Sequence, residues 1–330
     1  MGMQTRRLGV HSNLIFDVIQ KQAGTLGKAV IEGIQNSIDA DAGRIDITLT
    51  EDHLRIDDDG RGIQTREEVE AFFETFGTPH EAGDATYGRF RIGRGQLFSF
   101  GVNEWRTANF RLHVDIKNLG LDYWLEEDRE WSPGTRVDVA LYEPLLPSDL
   151  DSAVREVADL ARYVPVPVYL NGDQINKVPA DGKWTVVTED AYIHIAERTT
   201  LTVYNQGVKV RDYSAAQFGG VGGVVVSRVP LEVNFARNDV LVSQCPVWKR
   251  LVPYLKQHGA QRARKKTSLN ASERESFARQ FVGGEIDYVE AASLRLITDV
   301  RNKHHPLSRL VERAESGESA WQAWKEEAGS

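Results

Sequence analysis

The stretch Glu32-Gly33-Ile34-Gln35-Asn36-Ser37-Ile38-Asp39-Ala40 places acidic and amide side chains inside a segment with the apolar spacing of a buried helix. On a wheel of about 100° per residue with Glu32 at zero, Asn36 falls near 40° and Asp39 near −20°, while Leu26, Val30, Ile34 and Ile38 gather on the opposite side. One face can therefore rest on a sheet while Glu32, Asn36 and Asp39 point into whatever lies beyond it. Gly24 and Gly43 bound the segment.

Downstream, Ile45, Ile47 and Leu49 alternate in "RIDITL", and Leu54 and Ile56 alternate in "HLRID" after a polar turn, which is the pattern of a hairpin. A second helix is expected over Arg66–Phe76, and strands over Phe110–Ile116 and Arg136–Leu141. Residues 1–143 thus read as an α+β domain, with helices on one face of a mixed, mostly antiparallel sheet. A boundary is expected at "YEPLLPSD", where two prolines follow a strand. Residues 144–266 read as a second α+β unit. It opens on a helical stripe at Leu150, Val154, Val157 and Leu160, continues through short strands in "VPVPVYLNGDQI", "YIHIAE", "LTVYNQGVKV" and "GGVVVSRV", and ends in a helix over Trp248–Lys266. Residues 267–330 read as a charged helical segment.

At 330 residues the chain has room for two domains, and a formal charge of −8 argues against a surface built throughout for polyanions. The single cysteine, Cys245, can form neither an internal disulfide nor a thiolate zinc site, so a reducing, cytoplasmic setting is expected. The sequence carries neither an apolar run of membrane-spanning length nor the apolar core of a signal peptide.

Three motifs carry chemistry. Glu32 and Asn36, one helical turn apart, offer a carboxylate to orient water and an amide oxygen for a hard cation such as Mg²⁺. Asp58, Gly60 and Gly62 form D-x-G-x-G at the exit of a strand: an acceptor at a pocket mouth, with glycines that let a flat ring approach the backbone. "YGRFRIGRGQLFSFG" places Gly88, Gly93 and Gly95 before a helix-like run. Such a turn aims unpaired N–H groups at phosphate oxygens, and Arg89, Arg91 and Arg94 add positive charge. Taken singly each motif is an ordinary connection; their order on one short stretch carries the information.

That ordered set resembles the GHKL ATPases, which include gyrase-type topoisomerases, ninety-kilodalton heat-shock chaperones, histidine kinases and MutL-type proteins. The resemblance implies a Bergerat-type layer with ATP over the sheet. Glu32 would be the general base and Asn36 the Mg²⁺ ligand. Asp58 would accept from the adenine amino group, with Gly60 and Gly62 flanking the base, and Asp39 would shape the pocket wall. The lid would be "FGTPHEAGDATYG", with Thr78 touching nucleotide, and Gly88, Gly93 and Gly95 would wrap the phosphates. Ile63 and Phe90 complete the implied cofactor-binding set. Arg91 stands where the chaperone pattern has a glycine.

The second unit is similar to the chaperones' middle domain, a ribosomal S5 domain 2-like transducer. "VPLEVNFARNDVL" matches their "P-L-N-x-S-R-E" and nominates Arg237 to reach the γ-phosphate. The expected activity is Mg-ATP binding and slow hydrolysis driving lid closure and homodimerisation, chaperone-like, with ATP/ADP as ligands and a protein client as partner. The alternatives are an ATP-gated DNA-transaction clamp of MutL or topoisomerase type, using Arg262 to Lys266, and a nucleotide-binding module without turnover. No phosphoacceptor-histidine helix precedes the pocket, so autokinase activity is not expected. "FGGVGGVVV" reads as a tight turn into a buried strand, His304 and His305 as solvated, and Trp321 and Trp324 as an apolar stripe on a late helix.

Overall fold

The opening stretch begins its helix where Thr25 caps it, the hydroxyl accepting from the Lys28 N–H at 3.3 Å. The computed structural model describes residues 24–74, 93–127, 129–234, 236–263, 269–299 and 301–316. Helix α1 (Leu26–Asp39) buries Leu26, Ala29, Val30, Ile31 and Ile34. It lies so close to the sheet that a Cβ on Gly33 would stand 2.5 Å from Ile56 Cδ1, so a larger residue there would require the Ile56 side chain to turn aside.

The expected hairpin follows as β1 (Ile45–Leu49) and β2 (His53–Asp58), antiparallel in register from Ile45↔Asp58 to Leu49↔Leu54. The Asp59 carboxylate ties the α1–β1 connection to the end of β2 by accepting from the Gly43 N–H (2.7 Å) and the Arg44 N–H (2.8 Å). A short helix α2 (Gly93–Phe98) leads into β3 (Gly101–Ala108), β4 (Phe110–Val114), β5 (Tyr123–Glu126) and β6 (Ser132–Leu141). Helix α3 (Pro147–Leu160) precedes β7 (Val168–Leu170) and β8 (Asp173–Gln174). These strands form one eight-stranded sheet in the order β5-β4-β3-β6-β2-β1-β7-β8, antiparallel throughout except for the parallel β1–β7 pair. The fold is α+β with a mixed, mostly antiparallel sheet.

Two local expectations are adjusted. Of the helix expected over Arg66–Phe76, the described residues form an α-turn, Arg66–Glu68, running into a π-helical turn, Val69–Glu74; residues 75 and 76 lie outside the described residues. The strand expected over Phe110–Ile116 stops at Val114 because Asp115 caps a new turn at Ile116–Leu119, its carboxylate accepting from the Asn118 N–H at 3.3 Å.

The chain divides into two compact units, Met1–Gly182 and Lys183–Ser330, later than the boundary expected between residues 143 and 144. The reason is physical. Pro147 sits in the first turn of α3, where proline starts a helix as readily as it ends a strand. Helix α3 returns to α1, with the Thr25 hydroxyl donating to Glu156 Oε1 at 2.8 Å. Beyond it β7 extends the first sheet, and the Asn171 side chain brackets Leu49 through both its backbone N–H (2.8 Å) and its carbonyl (3.0 Å).

The second unit holds a five-stranded sheet of β9 (Val186–Val187), β10 (Ala191–Ala196), β11 (Thr200–Asn205), β12 (Val208–Ser214) and β13 (Gly222–Ser227), in the order β12-β11-β13-β10-β9. Helix α4 (Pro246–Ala263) supplies Trp248, Leu251 and Leu255 to a core with Leu201, Val203, Phe218 and Val225. "FGGVGGVVV" turns into buried β13 as expected. Among the described residues the C-terminal part is less helical than expected: between α5 (Ala271–Val282) and α6 (Leu307–Glu315), after one helical turn at Tyr288–Ala291, lies a two-stranded ribbon, β14 (Ile297–Thr298) and β15 (His304–His305). Among the described residues, no helix is long and apolar enough to cross a membrane.

Candidate functional site

Asp58 ends β2 beside α1 and is held from three sides. The Ser37 hydroxyl donates to Oδ2 at 2.7 Å, while the Gly60 N–H (3.0 Å) and the Thr135 N–H (3.1 Å) donate to Oδ1. The Gly60 bond is an Asx-turn, the local reason the chain leaves the strand at this point. Ser37 also reaches the Gly33 carbonyl one helical turn back at 3.1 Å, so its hydroxyl is fixed in the groove between helix and strand. A carboxylate offers roughly four acceptor positions. Among the described residues three are taken, which leaves one on Oδ2 for a further donor. Burial is the largest influence on the Asp58 carboxyl and raises its pKa, outweighing the three bonds that favour the charged form.

The turn after Asp58 is shaped by the protein's own backbone. The Arg61 N–H donates to the Ala40 carbonyl at the end of α1, 2.8 Å away. Gly62 has φ +65°, and a Cβ there would collide with the Thr107 hydroxyl and stand 2.7 Å from the Gly134 carbonyl. Thr107 is fully buried and binds both sides of this corner, accepting from the Ile63 N–H at 2.8 Å and donating to the Gly134 carbonyl at 3.2 Å. The D-x-G-x-G glycines therefore serve close packing within the protein, whatever ligand they also face.

Glu32 is 9% exposed and Asn36 half-buried, one turn apart on α1. Carboxylates are seldom buried to this degree without a task or a partner, which sets Glu32 apart from a solvated helix residue. Asp39 closes the helix and is half-buried. Gly93 and Gly95 lie in α2 itself, at its start, not in the loop before it. In α2 and the chain that follows it into β3, Gln96 Oε1, Ser99 Oγ, Asn103 Oδ1 and Trp105 Nε1 are buried without a hydrogen-bond partner among the described residues. Thr78, Gly88 and Phe90 lie outside the described residues. Among the described residues no cluster of three or more His, Cys, Asp or Glu could enclose a metal. A divalent cation would thus rely on Asn36 and on oxygens brought by a ligand, the usual manner of Mg²⁺ with phosphates.

Arg237 belongs to the second unit, in the turn between the bridged residues Val233 and Val240, with φ +53° and its N–H donating to the Asn234 carbonyl at 2.9 Å. The neighbouring Asp239 pairs with Arg211 at 3.2 Å and accepts from the Tyr213 hydroxyl at 2.7 Å. Burial, helped by that aspartate, pushes Tyr213 up to about 12.

Sequence reasoning missed Ser37, Thr107 and Thr135. Ser37 sits between two residues that had been singled out, and Thr135 follows Gly134 at the start of β6, where "GTRV" reads simply as a strand. Only the pairing of β2 with β6 brings Thr135 opposite Asp58.

Residues 24–107, from the cap of α1 to the end of β3, match the family model described as Histidine kinase-, DNA gyrase B-, and HSP90-like ATPase. This supports a GHKL-type, ATP-binding domain over the segment that contains Glu32, Asn36 and the D-x-G-x-G turn. No curated protein matches the chain.

Proposed function

We propose that the protein binds ATP with Mg²⁺ and hydrolyses it slowly to drive a conformational cycle. The observation that supports this most is the vacant acceptor position on a half-buried Asp58 whose other positions are filled by Ser37, Gly60 and Thr135. Such a carboxylate is preorganised for one exocyclic amine, as adenine presents, and discriminates against a carbonyl at that position. Gly60, Gly62 and Ile63 flank the base, and Asp39 closes the wall. Glu32 accepts the proton of the attacking water, Asn36 holds the cation, and Mg²⁺ supplies positive charge against the phosphate oxygens. Thr78, Gly88, Phe90, Gly93 and Gly95 form the lid side of the phosphate site. The second unit acts as the S5-like transducer, with Arg237 sensing the γ-phosphate. A cation that contacts only the γ-phosphate distinguishes ATP from ADP and so biases two arrangements. The whole works as a chaperone-like homodimer acting on a protein client in the cytoplasm.

Calorimetry with ATP and ADP, with and without Mg²⁺, tests this reading. Expected is binding that Mg²⁺ strengthens and that Asp58→Ala weakens about a hundredfold. Equal affinity of Asp58→Ala and the parent would end the adenine assignment. A salt-independent absence of DNA binding separates this reading from a DNA clamp.

A further inference from the structure

The C-terminal part of the second unit forms an open cavity of about 390 Å³. Its walls carry Arg274 from α5, Arg295 before β14, Lys303, His304 and His305 from the β14–β15 ribbon, and Arg309 from the first turn of α6. No lining residue is acidic, in a chain whose formal charge is −8. Like charges gathered round one cavity repel one another and destabilise the compact state unless a counter-charge is present.

Several of these groups are held in place from behind. The Arg274 guanidinium donates to the Leu269 carbonyl. Arg309 Nη1 stands 3.2 Å from His305 Nδ1, and His305 Nε2 is 2.8 Å from Asp299 Oδ2. Asp299 also accepts from the Arg301 N–H (2.9 Å) and the Lys303 N–H (2.8 Å), which fixes the ribbon's turn. Thr298 holds His304 at 3.0 Å. In contrast, the side chains of Arg295 and Lys303 are exposed and form no ion pair among the described residues. The wall is thus part scaffold and part unspent charge.

We propose that this cavity binds a small ligand bearing two or more phosphoryl groups. Guanidinium forks match phosphoryl oxygens in pairs, and several separate cations reward a ligand with several anionic oxygens over a single carboxylate. The volume falls within the range of small-molecule sites, and the charges line one open hollow where a nucleic-acid strand would want an extended stripe.

The test is calorimetry of the full chain with inorganic pyrophosphate and, separately, inorganic phosphate, on the parent and on an Arg295→Ala/Lys303→Ala variant. Expected is pyrophosphate binding tighter than phosphate, weakened about tenfold or more in the variant, as loss of charge-assisted hydrogen bonds implies. Both residues are exposed, so the variant should keep its fold. Hydrogen exchange on the unaltered protein gives an independent reading: pyrophosphate should protect residues 294–309. Unchanged affinity in the variant, or protection confined to the first unit, would overturn the proposal. So would a single-stranded oligonucleotide that binds the same residues more tightly than pyrophosphate.

Discussion

Two aspartates in this chain have nearly the same hydrogen-bond dress and opposite electrostatics. Asp58 takes two backbone N–H groups on Oδ1, from Gly60 and Thr135, and the Ser37 hydroxyl on Oδ2. Asp299 takes two on Oδ1, from Arg301 and Lys303, and His305 Nε2 on Oδ2. Both open a turn. Yet burial drives the Asp58 pKa up, while the His305 hydrogen bond is the chief cause that holds Asp299 down. The donor count cannot explain the difference; the identity of the side-chain partner and the surroundings can. A hydroxyl stays neutral and cannot offset desolvation, whereas an imidazole can carry the counter-charge. Asp299 is thereby a finished staple, and Asp58 a group still disposed to accept one more donor.

The largest expected effect lies one step from this pair. If the groove of Asp58 is a catalytic pocket, Glu32→Gln should lower ATP turnover by a factor of roughly 10² to 10⁴ while nucleotide affinity stays close to the parent's, because general-base catalysis contributes on that scale. Steady-state hydrolysis set beside calorimetry separates the two. Unaltered turnover would show that the buried Glu32 is structural, and would favour a nucleotide module whose chemistry, if any, is elsewhere.

Next in size is the contrast between the aspartates themselves. Asp58→Ala should weaken ATP binding about a hundredfold, the worth of a charge-assisted bond in a partly buried site together with the donors it leaves behind. Asp299→Ala should leave ATP affinity untouched and instead lower the thermal midpoint of the second unit. A matching loss of ATP affinity from both variants would mean that the effect is general unfolding.

The pH dependence of stability should diverge in sign. The raised pKa of Asp58 contributes stability that is present below its unfolded value, about 3.9, and is lost as pH rises through the folded value. The lowered pKa of Asp299 contributes stability present above the unfolded value and lost as pH falls through the folded one. Relative to the parent, Asp58→Asn should therefore gain ground from acid toward neutral pH, and Asp299→Asn should lose it. Urea unfolding at two pH values on either side of 4 is sufficient to see the crossing.

The first of these turns was legible in the sequence and the second was not, for reasons that lie in the chain. Asp58 stands in D-x-G-x-G after an alternating strand, and the 3.6-residue spacing of Glu32 and Asn36 marks a two-faced helix; both signals are local. The hairpin at Ile45–Asp58 and the helix at Leu26–Asp39 follow from the same local periodicity. Asp299 sits between strands of two residues each, too short for any alternation to register, so a charged helix was the natural expectation there. The boundary at residues 143/144 erred in the opposite direction. Pro144 and Pro147 are strong local punctuation, but the parallel pairing of β1 with β7 that carries the sheet past them is a contact over more than a hundred residues of chain. Thr107 and Thr135 are invisible for the same reason: each becomes a site residue only through its strand partner.

The smallest expected effect sharpens the comparison most. Ser37→Ala removes the one neutral side-chain donor from Asp58. The hydrogen bond is worth about 1 kcal/mol net, and alanine returns roughly half of that as helix propensity, so overall stability should hardly move. The Asp58 pKa should move, however. The serine hydroxyl favours the charged form, so its loss leaves burial less opposed and raises the pKa further. Since an exocyclic amine needs the ionised carboxylate, ATP affinity in Ser37→Ala should begin to fall at a higher pH on acidification than in the parent, while the two agree near neutrality. Calorimetric affinity measured as a function of pH reads this displacement directly. An acid limb unmoved by the substitution would mean that Asp58 titrates without regard to Ser37, and that the partner's identity does not set apart the two aspartates.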